Sequence, residues 1–368
     1  MRSKSLAFIL VSLLVSSSFI VVAVSDTSDA SITVRDGDGN FFTFDGPVDR
    51  IITIGVGTTA TAIGVSALDK ILVCDRYSKT NEDPLFDDLR RYVDEGKIAA
   101  NGTIYDSGKE QLKMDIITAA EPTKEVHFDR EKDVVLAVAS PSYRANLSFL
   151  KEEGFKNVMY WSDVSTYGDI IDFVETISMV CNGRIDANAA MMRAVVEKID
   201  VTLSQEQPER VEAFYVTHSS GVFKVGNTKS ITTAMIEAAG GIVITKDDSK
   251  SESTIEVNLT DLVSKHPNAM IFADSQVFNS EDLMKSLRAQ VGNDITIKGL
   301  KGIWNNFSIE SSKGVWAMAG SMYPDYFDGD MPSGDTSDGD IMMYAVSSII
   351  ASAVLLCVAY YYMRPQKR

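Results

Sequence analysis

Three histidines, three cysteines and a scatter of aromatic and cationic side chains are what this 368-residue chain offers for chemistry. His127, His218 and His266 stand far apart, and none has a second His or a Cys at i+2 or i+4. There is no His-Glu-x-x-His, no Cys-x-x-Cys and no Gly-x-Ser-x-Gly, so zinc hydrolysis, thiol exchange and a serine elbow are not indicated. A hydrolase triad would have to draw on one of three isolated histidines, so the chain reads as a non-enzyme with no cofactor and no metal site. Gly221–Thr228 carries two glycines at phosphate-loop spacing, but Asn227 stands where the phosphate-holding lysine would be. Asp36, Asp38 and Asn40 imitate the start of an EF-hand loop. Phe41 replaces its required glycine and Pro47 takes its twelfth position, so a turn between strands Ile32–Arg35 and Phe41–Phe44 is the better reading.

The two ends say where such a chain would work. Ile341–Met363 is apolar without a charged residue, and Arg364, Lys367 and Arg368 follow at once. As a helix it would span roughly 34 Å, enough to cross a hydrocarbon core of about 30 Å. Tyr344 and Tyr360–Tyr362 would sit at the two interfaces, and the basic tail favours the cytoplasmic side. At the other end Arg2 and Lys4 precede the apolar stretch Leu6–Val24 and small residues at Ala23–Ser25. Residues 1–25 read as a secretory signal peptide or, given the length of the stretch, an uncleaved N-terminal anchor. Both versions place the middle of the chain outside the cell, with the C-terminal helix as its membrane tether. A C-terminal span behind an acidic stalk suggests an archaeal cell surface.

Composition fits an extracellular body. Between the apolar ends lie about 315 residues, enough for two lobes with their own cores. A net charge of −16 argues against nucleic acid. Cys357 falls in the apolar run, leaving Cys74 and Cys181 as either one disulfide or two buried thiols. Asn-x-Ser/Thr sequons at Asn101, Asn146, Asn258 and Asn306 would suit an exported domain. Ser321–Asp340, rich in Asp, Gly, Ser and Pro, reads as a flexible acidic stalk.

Strand-like runs alternate with helical patterns. Ile51–Ile54, Ile71–Cys74, Val134–Val138 and Val158–Trp161 form one set of predicted strands; Val211–Val216, Ile242–Ile244 and Ala269–Ala273 form a second. Thr58–Leu68, Tyr167–Val180, Ser230–Ala239 and Ser280–Gln290 read as helices between them. A long helical stretch, Tyr167–Gln205, is interrupted only at Asn182-Gly183, and Pro208 closes it. The expected fold is α/β: two Rossmann-like lobes with parallel sheets, joined by one long bridging helix, plus the C-terminal transmembrane helix. The boundaries are 31–182 for the first lobe, 183–208 for the bridge, 209–320 for the second lobe, 321–340 for the stalk and 341–363 for the span.

Several blocks carry a resemblance. Val48-Asp-Arg-Ile-Ile-Thr-Ile54 through Leu68-Asp-Lys-Ile-Leu-Val-Cys-Asp-Arg-Tyr-Ser78 resembles the first βαβ unit of class III solute-binding proteins, which serve ABC importers for iron–siderophore, haem and cobalamin. Gly226-Asn-Thr-Lys-Ser followed by Met235-Ile-Glu-Ala-Ala-Gly-Gly241 resembles a second-lobe block of that family, as does Val257–Phe272. The resemblance covers most of Ile32–Ala319. It implies a rigid bridge, a ligand cleft between the lobes and no chemistry on the ligand. Partners would be an ABC permease with its ATPase, and a small metal chelate or corrinoid. Gly240-Gly241 would end a helix and turn into the next strand, and Pro267 would close a helix at Leu259–Lys265.

In parallel sheets, ligands bind at loops leaving the carboxyl ends of strands. Arg76 and Tyr77 follow one predicted strand, Tyr143 and Arg144 another, and Trp161 and Tyr167 bracket a third. The second lobe offers His218, Phe223, Lys224, Phe278 and Trp304. Aromatic rings would grip a flat ligand and arginines its negative charge. The competing reading is lobe packing for each aromatic residue and a surface salt bridge for Arg76 and Arg144. Importer docking in the family relies on one acidic residue per lobe near a helix start. The resemblance puts the first at Asp115; the second position falls on Thr260, with Asp261 one place along. The charged stretch Lys79–Gln111 is longer than the family's usual connection and reads as a lid or an insertion. The leading reading is a membrane-tethered solute receptor. The alternative is a surface sensor or adhesion ectodomain on the same fold, for which the five residues after the span offer no signalling domain.

Overall fold

A short hairpin opens the described part of the chain. β1 (Ile32–Arg35) and β2 (Phe41–Phe44) pair antiparallel, as the turn between them predicts. Asp36, 4% exposed, accepts hydrogen bonds at Oδ1 from Asp38 N (3.0 Å) and Asn40 N (2.8 Å). The carboxylate that imitated a calcium ligand is thus spent on its own turn. This is a computed structural model that describes residues 31–332 apart from 124 and 163. The signal segment and the apolar run Ile341–Met363 lie outside the described residues, among which no helix is long and apolar enough to cross a membrane.

The first lobe is built on β3 (Ile51–Ile54), β4 (Ile71–Cys74), β5 (Val134–Val138) and β6 (Asn157–Trp161), all parallel in the order β4-β3-β5-β6. Ile51 and Leu136 face one core, while Ile52, Ile54 and Val135 face another. Burial on both faces is why these strands read as unbroken apolar runs. The stretch Lys79–Gln111 is a docked insertion, not a lid. Its Phe86 and Leu89 are fully buried, and it returns along the edge of β4 through a parallel bridge between Val73 and Ala99. Cys74 and Cys181 are free and buried, and burial pushes the Cys181 thiol up to about 12.

The second lobe holds β7 (Glu212–Ser219), β8 (Val222–Gly226), β9 (Ile242–Val243), β10 (Thr254–Ile255), β11 (Met270–Ala273) and β12 (Ile297–Gly299). The main path is β10-β8-β7-β11-β12, with β9 beside the start of β7. The expected parallel sheet is corrected here, because β8 runs antiparallel to both β7 and β10. Ser220 (φ 54°) and Gly221 (φ 82°) explain it: two successive positive-φ residues make the tight turn that matches the twist of a hairpin. The glycine pair that imitated a phosphate loop therefore belongs to this hairpin and the end of β8.

Tyr167–Asn182 closes the first lobe, Gly183 breaks the helical run in the left-handed region (φ 71°), and the bridge is a second helix, Ala187–Glu206. Asp186 caps the second by accepting Asn188 N at 2.8 Å. Glu175, 3% exposed, is held bidentately by Arg193 (Nε 3.1 Å, Nη2 3.0 Å), which fixes the two helices against each other. The lobes share one buried cluster that includes Ile51 and Leu136 from the first, Ala213 and Phe272 from the second, and Ile199 from the bridge. The stalk starts later than 321. Met322, Tyr323 and Phe327 are buried, and Tyr323 Oη donates to Gly240 O (2.7 Å) and accepts Val211 N (3.2 Å). The aromatic residues in the first half of the acidic segment give it enough apolar surface to dock.

Candidate functional site

The carboxyl end of β4 leads straight into Asp75, which is 2% exposed. Its Oδ1 accepts Tyr77 N (2.9 Å), capping the short helix Arg76–Lys79, and its Oδ2 accepts Thr103 Oγ1 (2.8 Å). Burial pushes this carboxyl above the usual range, against the pull of those hydrogen bonds and of Arg76. Thr103 belongs to the returning arm of the insertion, which is also tied on by Arg76 N donating to Gly102 O (2.8 Å). One buried carboxylate therefore joins two segments, and together they deliver Arg76, Tyr77, Tyr105 and Ser107 to one face.

The half-buried Arg76 guanidinium lies 5.0 Å from the Tyr77 ring centroid. Its Nη2 donates to Ser107 Oγ (2.9 Å) and Tyr77 Oη (3.1 Å). Tyr77 packs edge-on with Tyr105 (centroids 5.9 Å), which packs edge-on with Tyr143 (4.8 Å) from the helix Pro141–Arg144 after β5. The three rings are 42%, 41% and 38% exposed, in the same order, and present an aromatic face at the strand ends. Burial first, then Asp75, raises the Tyr105 phenol, which keeps its proton. Tyr105 and Ser107 escaped sequence reasoning because they sit deep in a charged insertion. The one signal for them was an aromatic residue beside a Ser-Gly turn within that stretch.

Other expected residues are placed elsewhere. Arg144 turns away to pair with Asp38 of the β1–β2 turn. It donates through Nη2 (2.9 Å) and also through Nη1, while Nε donates to Ala139 O (3.1 Å). Its guanidinium covers the Tyr160 ring at 4.8 Å. Trp161, 5% exposed, packs on Phe173 (4.9 Å), and Gly37 leaves it room: a Cβ there would come within 2.7 Å of its ring. Tyr167, also 5% exposed, shares a hydrogen bond between its Oη and Ser311 Oγ (2.9 Å), and burial pushes its phenol up. These three are packing and bracing residues, since a β strand's end and the helix after it must also be fastened to the core.

In the second lobe, Tyr215 Oη donates to Asp274 Oδ2 (2.9 Å) and accepts from Asn305 Nδ2 (2.9 Å), whose Oδ1 accepts Thr232 Oγ1 (2.6 Å). This chain ties β7, β11 and a helix to the segment carrying Trp304. Lys301 Nζ lies 5.4 Å from the Trp304 ring. On the hairpin, His218 and Phe223 face each other across the strands (5.2 Å), with Lys224 opposite Thr217. Phe278, 42% exposed and at the end of the short helix after β11, lies over Gly299 of β12, where a Cβ would come within 2.4 Å of its ring. The lobes meet where Gly57, in the first turn of the helix Val56–Gly64 after β3, approaches Phe307: a Cβ on Gly57 would sit 2.2 Å from the Phe307 carbonyl oxygen. The Arg76 and Tyr143 segments follow the two neighbours of β3, and Trp304 lies just before Phe307, so the residues from both lobes flank this contact.

Asp115 is corrected from an expected docking acid. It is 8% exposed and accepts from Asn101 N (3.0 Å), Asn101 Nδ2 (3.1 Å) and Gln111 Nε2 (3.0 Å), so its charge is turned inward. Asp261 is exposed in the first turn of the Leu259–Lys265 helix, and Glu110 is exposed in the first turn of the Lys109–Ala119 helix. Among the described residues, no group of three or more His, Cys, Asp or Glu is placed to hold a metal ion.

No family model and no curated protein sequence matches the chain. Solved structures do. CeuE from Helicobacter pylori with Ni(II) bound aligns at TM-score 0.57 and 14% identity, covering 85% of this chain and 99% of that one. The periplasmic vitamin B12-binding protein BtuF of Vibrio cholerae aligns at 0.52 and 16%, over 75% and 97%. An ABC-type Fe3+-hydroxamate transport system protein from Saccharomonospora viridis aligns at 0.52 and 19%, over 81% and 99%. The chain has the fold of the class III solute-binding proteins. BtuF is a binding protein and the Saccharomonospora viridis protein belongs to a transport system, and each of the three is spanned almost whole by this chain. The match runs through both lobes and the bridge, so the arrangement expected from Val48–Ser78 and Gly226–Gly241 holds at the level of fold.

Proposed function

We propose that the protein is the solute-binding component of an ABC import system, holding an iron chelate, haem or a cobalamin-type ligand between its lobes. The carrying observation is the Arg76–Tyr77–Tyr105–Tyr143 face at the strand ends, on a fold that the solved binding proteins share. No bond is made or broken in the ligand; capture is by burial of aromatic surface and by charge-assisted hydrogen bonds. Lys301, Trp304 and the His218–Phe223 hairpin would supply the opposite wall. The shared core and the Arg193–Glu175 clamp support a small closing motion about the bridge.

The apolar run Ile341–Met363 and its basic tail support a single-pass tether, with the lobes outside the cell. Docking to a permease would use Glu110 and Asp261, the exposed acids at the starts of two helices that each lead into a parallel strand. A sensor or adhesion role is favoured by one observation, the inward-facing Asp115. The test is a thermal-shift screen of the full-length chain against ferric siderophores, haem, cobalamin, bare metal ions and oxyanions. A ligand at a hundredfold excess over Kd stabilises the native state by about 2.7 kcal/mol. A shift with one chelate or corrinoid supports the receptor; no shift across the panel moves the weight to the sensor.

A further inference from the structure

We infer that the first-lobe face takes an anionic, oxygen-rich ligand with a flat ring system, and that Arg76 and Ser107 select it over a neutral one. The inference rests on the receptor reading above and narrows its ligand. Arg76 is propped by two hydroxyls, Ser107 Oγ and Tyr77 Oη, and among the described residues it forms no ion pair. In a chain of net charge −16, a half-buried arginine held by neutral groups at a strand end is a site whose counter-charge is still to come. Asp75 attracts the guanidinium through space, but its two oxygens are occupied by Tyr77 N and Thr103 Oγ1, and Asp106 pairs with Lys109 (3.2 Å), so neither acid forms an ion pair with it.

The rest of the face supplies donors and flat surface. Ser107 and the phenols of Tyr77, Tyr105 and Tyr143 carry hydroxyl protons, and their environment keeps Tyr105 protonated. Gly108 lets the guanidinium lie close: a Cβ there would come 3.3 Å from Arg76 Nη1. A charged fork beside three half-exposed rings fits two ligand chemistries that share anionic oxygens on a flat aromatic frame, namely aryl-oxygen chelates of ferric iron and porphyrin carboxylates. It does not suit a neutral hydroxamate chelate or the amide-fringed corrin, which bring no charge for Arg76 to meet.

The experiment is a fluorescence titration of the full-length chain in detergent with four probes: a ferric tricatecholate chelate, haemin, a neutral ferric trihydroxamate chelate and cyanocobalamin. The first two separate the two anionic sources. An anionic probe should bind, and bind more weakly as salt rises. Arg76→Gln should weaken it by about 10- to 100-fold, with Arg76→Lys between. Ser107→Ala, an exposed position, should weaken it by about 3- to 10-fold without disturbing the fold. Tighter or equal binding of a neutral probe, or affinity for an anionic one unchanged in both Arg76→Gln and Ser107→Ala, overturns the inference and leaves the receptor reading standing. Failure of all four probes to bind overturns the receptor reading and this inference with it.

Discussion

Asp75 and Asp274 occupy equivalent positions in the two lobes. Each directly follows a parallel strand, β4 or β11, and each caps a four-residue helix with one carboxylate oxygen, accepting Tyr77 N or Gln276 N at 2.9 Å. Each gives its other oxygen to a hydroxyl, Thr103 Oγ1 at 2.8 Å or Tyr215 Oη at 2.9 Å. The same device thus fixes the loop that carries Arg76 in the first lobe and the loop that carries Phe278 in the second. Removing it should cost more than a helix cap alone. We expect Asp75→Ala to destabilise the protein by about 2–3 kcal/mol, because the Thr103 hydroxyl loses its partner as well. Denaturant unfolding measures this, and Asp75→Asn should recover part of it.

Acidification from neutral should stabilise the fold. Burial raises the carboxyls of Asp75, Asp133, Asp172 and Asp200 above their ordinary values. The folded chain then binds more protons than the unfolded chain between the ordinary carboxylate range and the raised values. Stability therefore rises as the pH falls through that window and is lost as the pH rises through it. A melting temperature that climbs as the pH is lowered from neutral toward the ordinary carboxylate range, with a shallower climb in Asp75→Asn, is the expected result.

Gly57 packs closely against the second lobe. A methyl group 2.2 Å from the Phe307 carbonyl oxygen has to push the second lobe away from the first. Gly57→Ala should cost about 1–3 kcal/mol by overpacking and should weaken ligand binding as well, since the flanking walls separate. Calorimetry and the fluorescence titration read the two effects independently.

Arg144 braces the β1–β2 turn rather than serving the ligand face. Its partner Asp38 is about one-third exposed, so the ion pair contributes about 0–1 kcal/mol and the contact with Tyr160 about 0.5–1 kcal/mol. Arg144→Ala should lower the melting temperature by a few degrees, and thermal unfolding checks it.

Much of the frame was legible in the pattern of residues. The β1–β2 hairpin, β3, β4, β5 and the Leu259–Lys265 helix fall where turn residues and apolar runs place them, because both faces of those elements meet a core or a clear solvent boundary. β8 was not legible, since Gly221 and Gly226 drew attention as a loop and the pairing of Val216 with Val225 depends on the Ser220 backbone. The site was legible by strand-end position but not by orientation. Arg76 and Arg144 both follow strands, and only the fold shows one facing two hydroxyls and the other an aspartate. Asp115 reads as an exposed acid near a helix start until Asn101 folds back over it.

Hydrogen exchange on the full-length chain, with and without the tightest-binding chelate or porphyrin, tests the central claim most directly. A ligand held between the lobes should slow exchange together in 75–77, 102–108 and 301–306, the segments flanking the Gly57–Phe307 contact, and leave the β1–β2 hairpin unchanged. Protection confined to one lobe's outer surface, or none in 102–108, would contradict capture at this site.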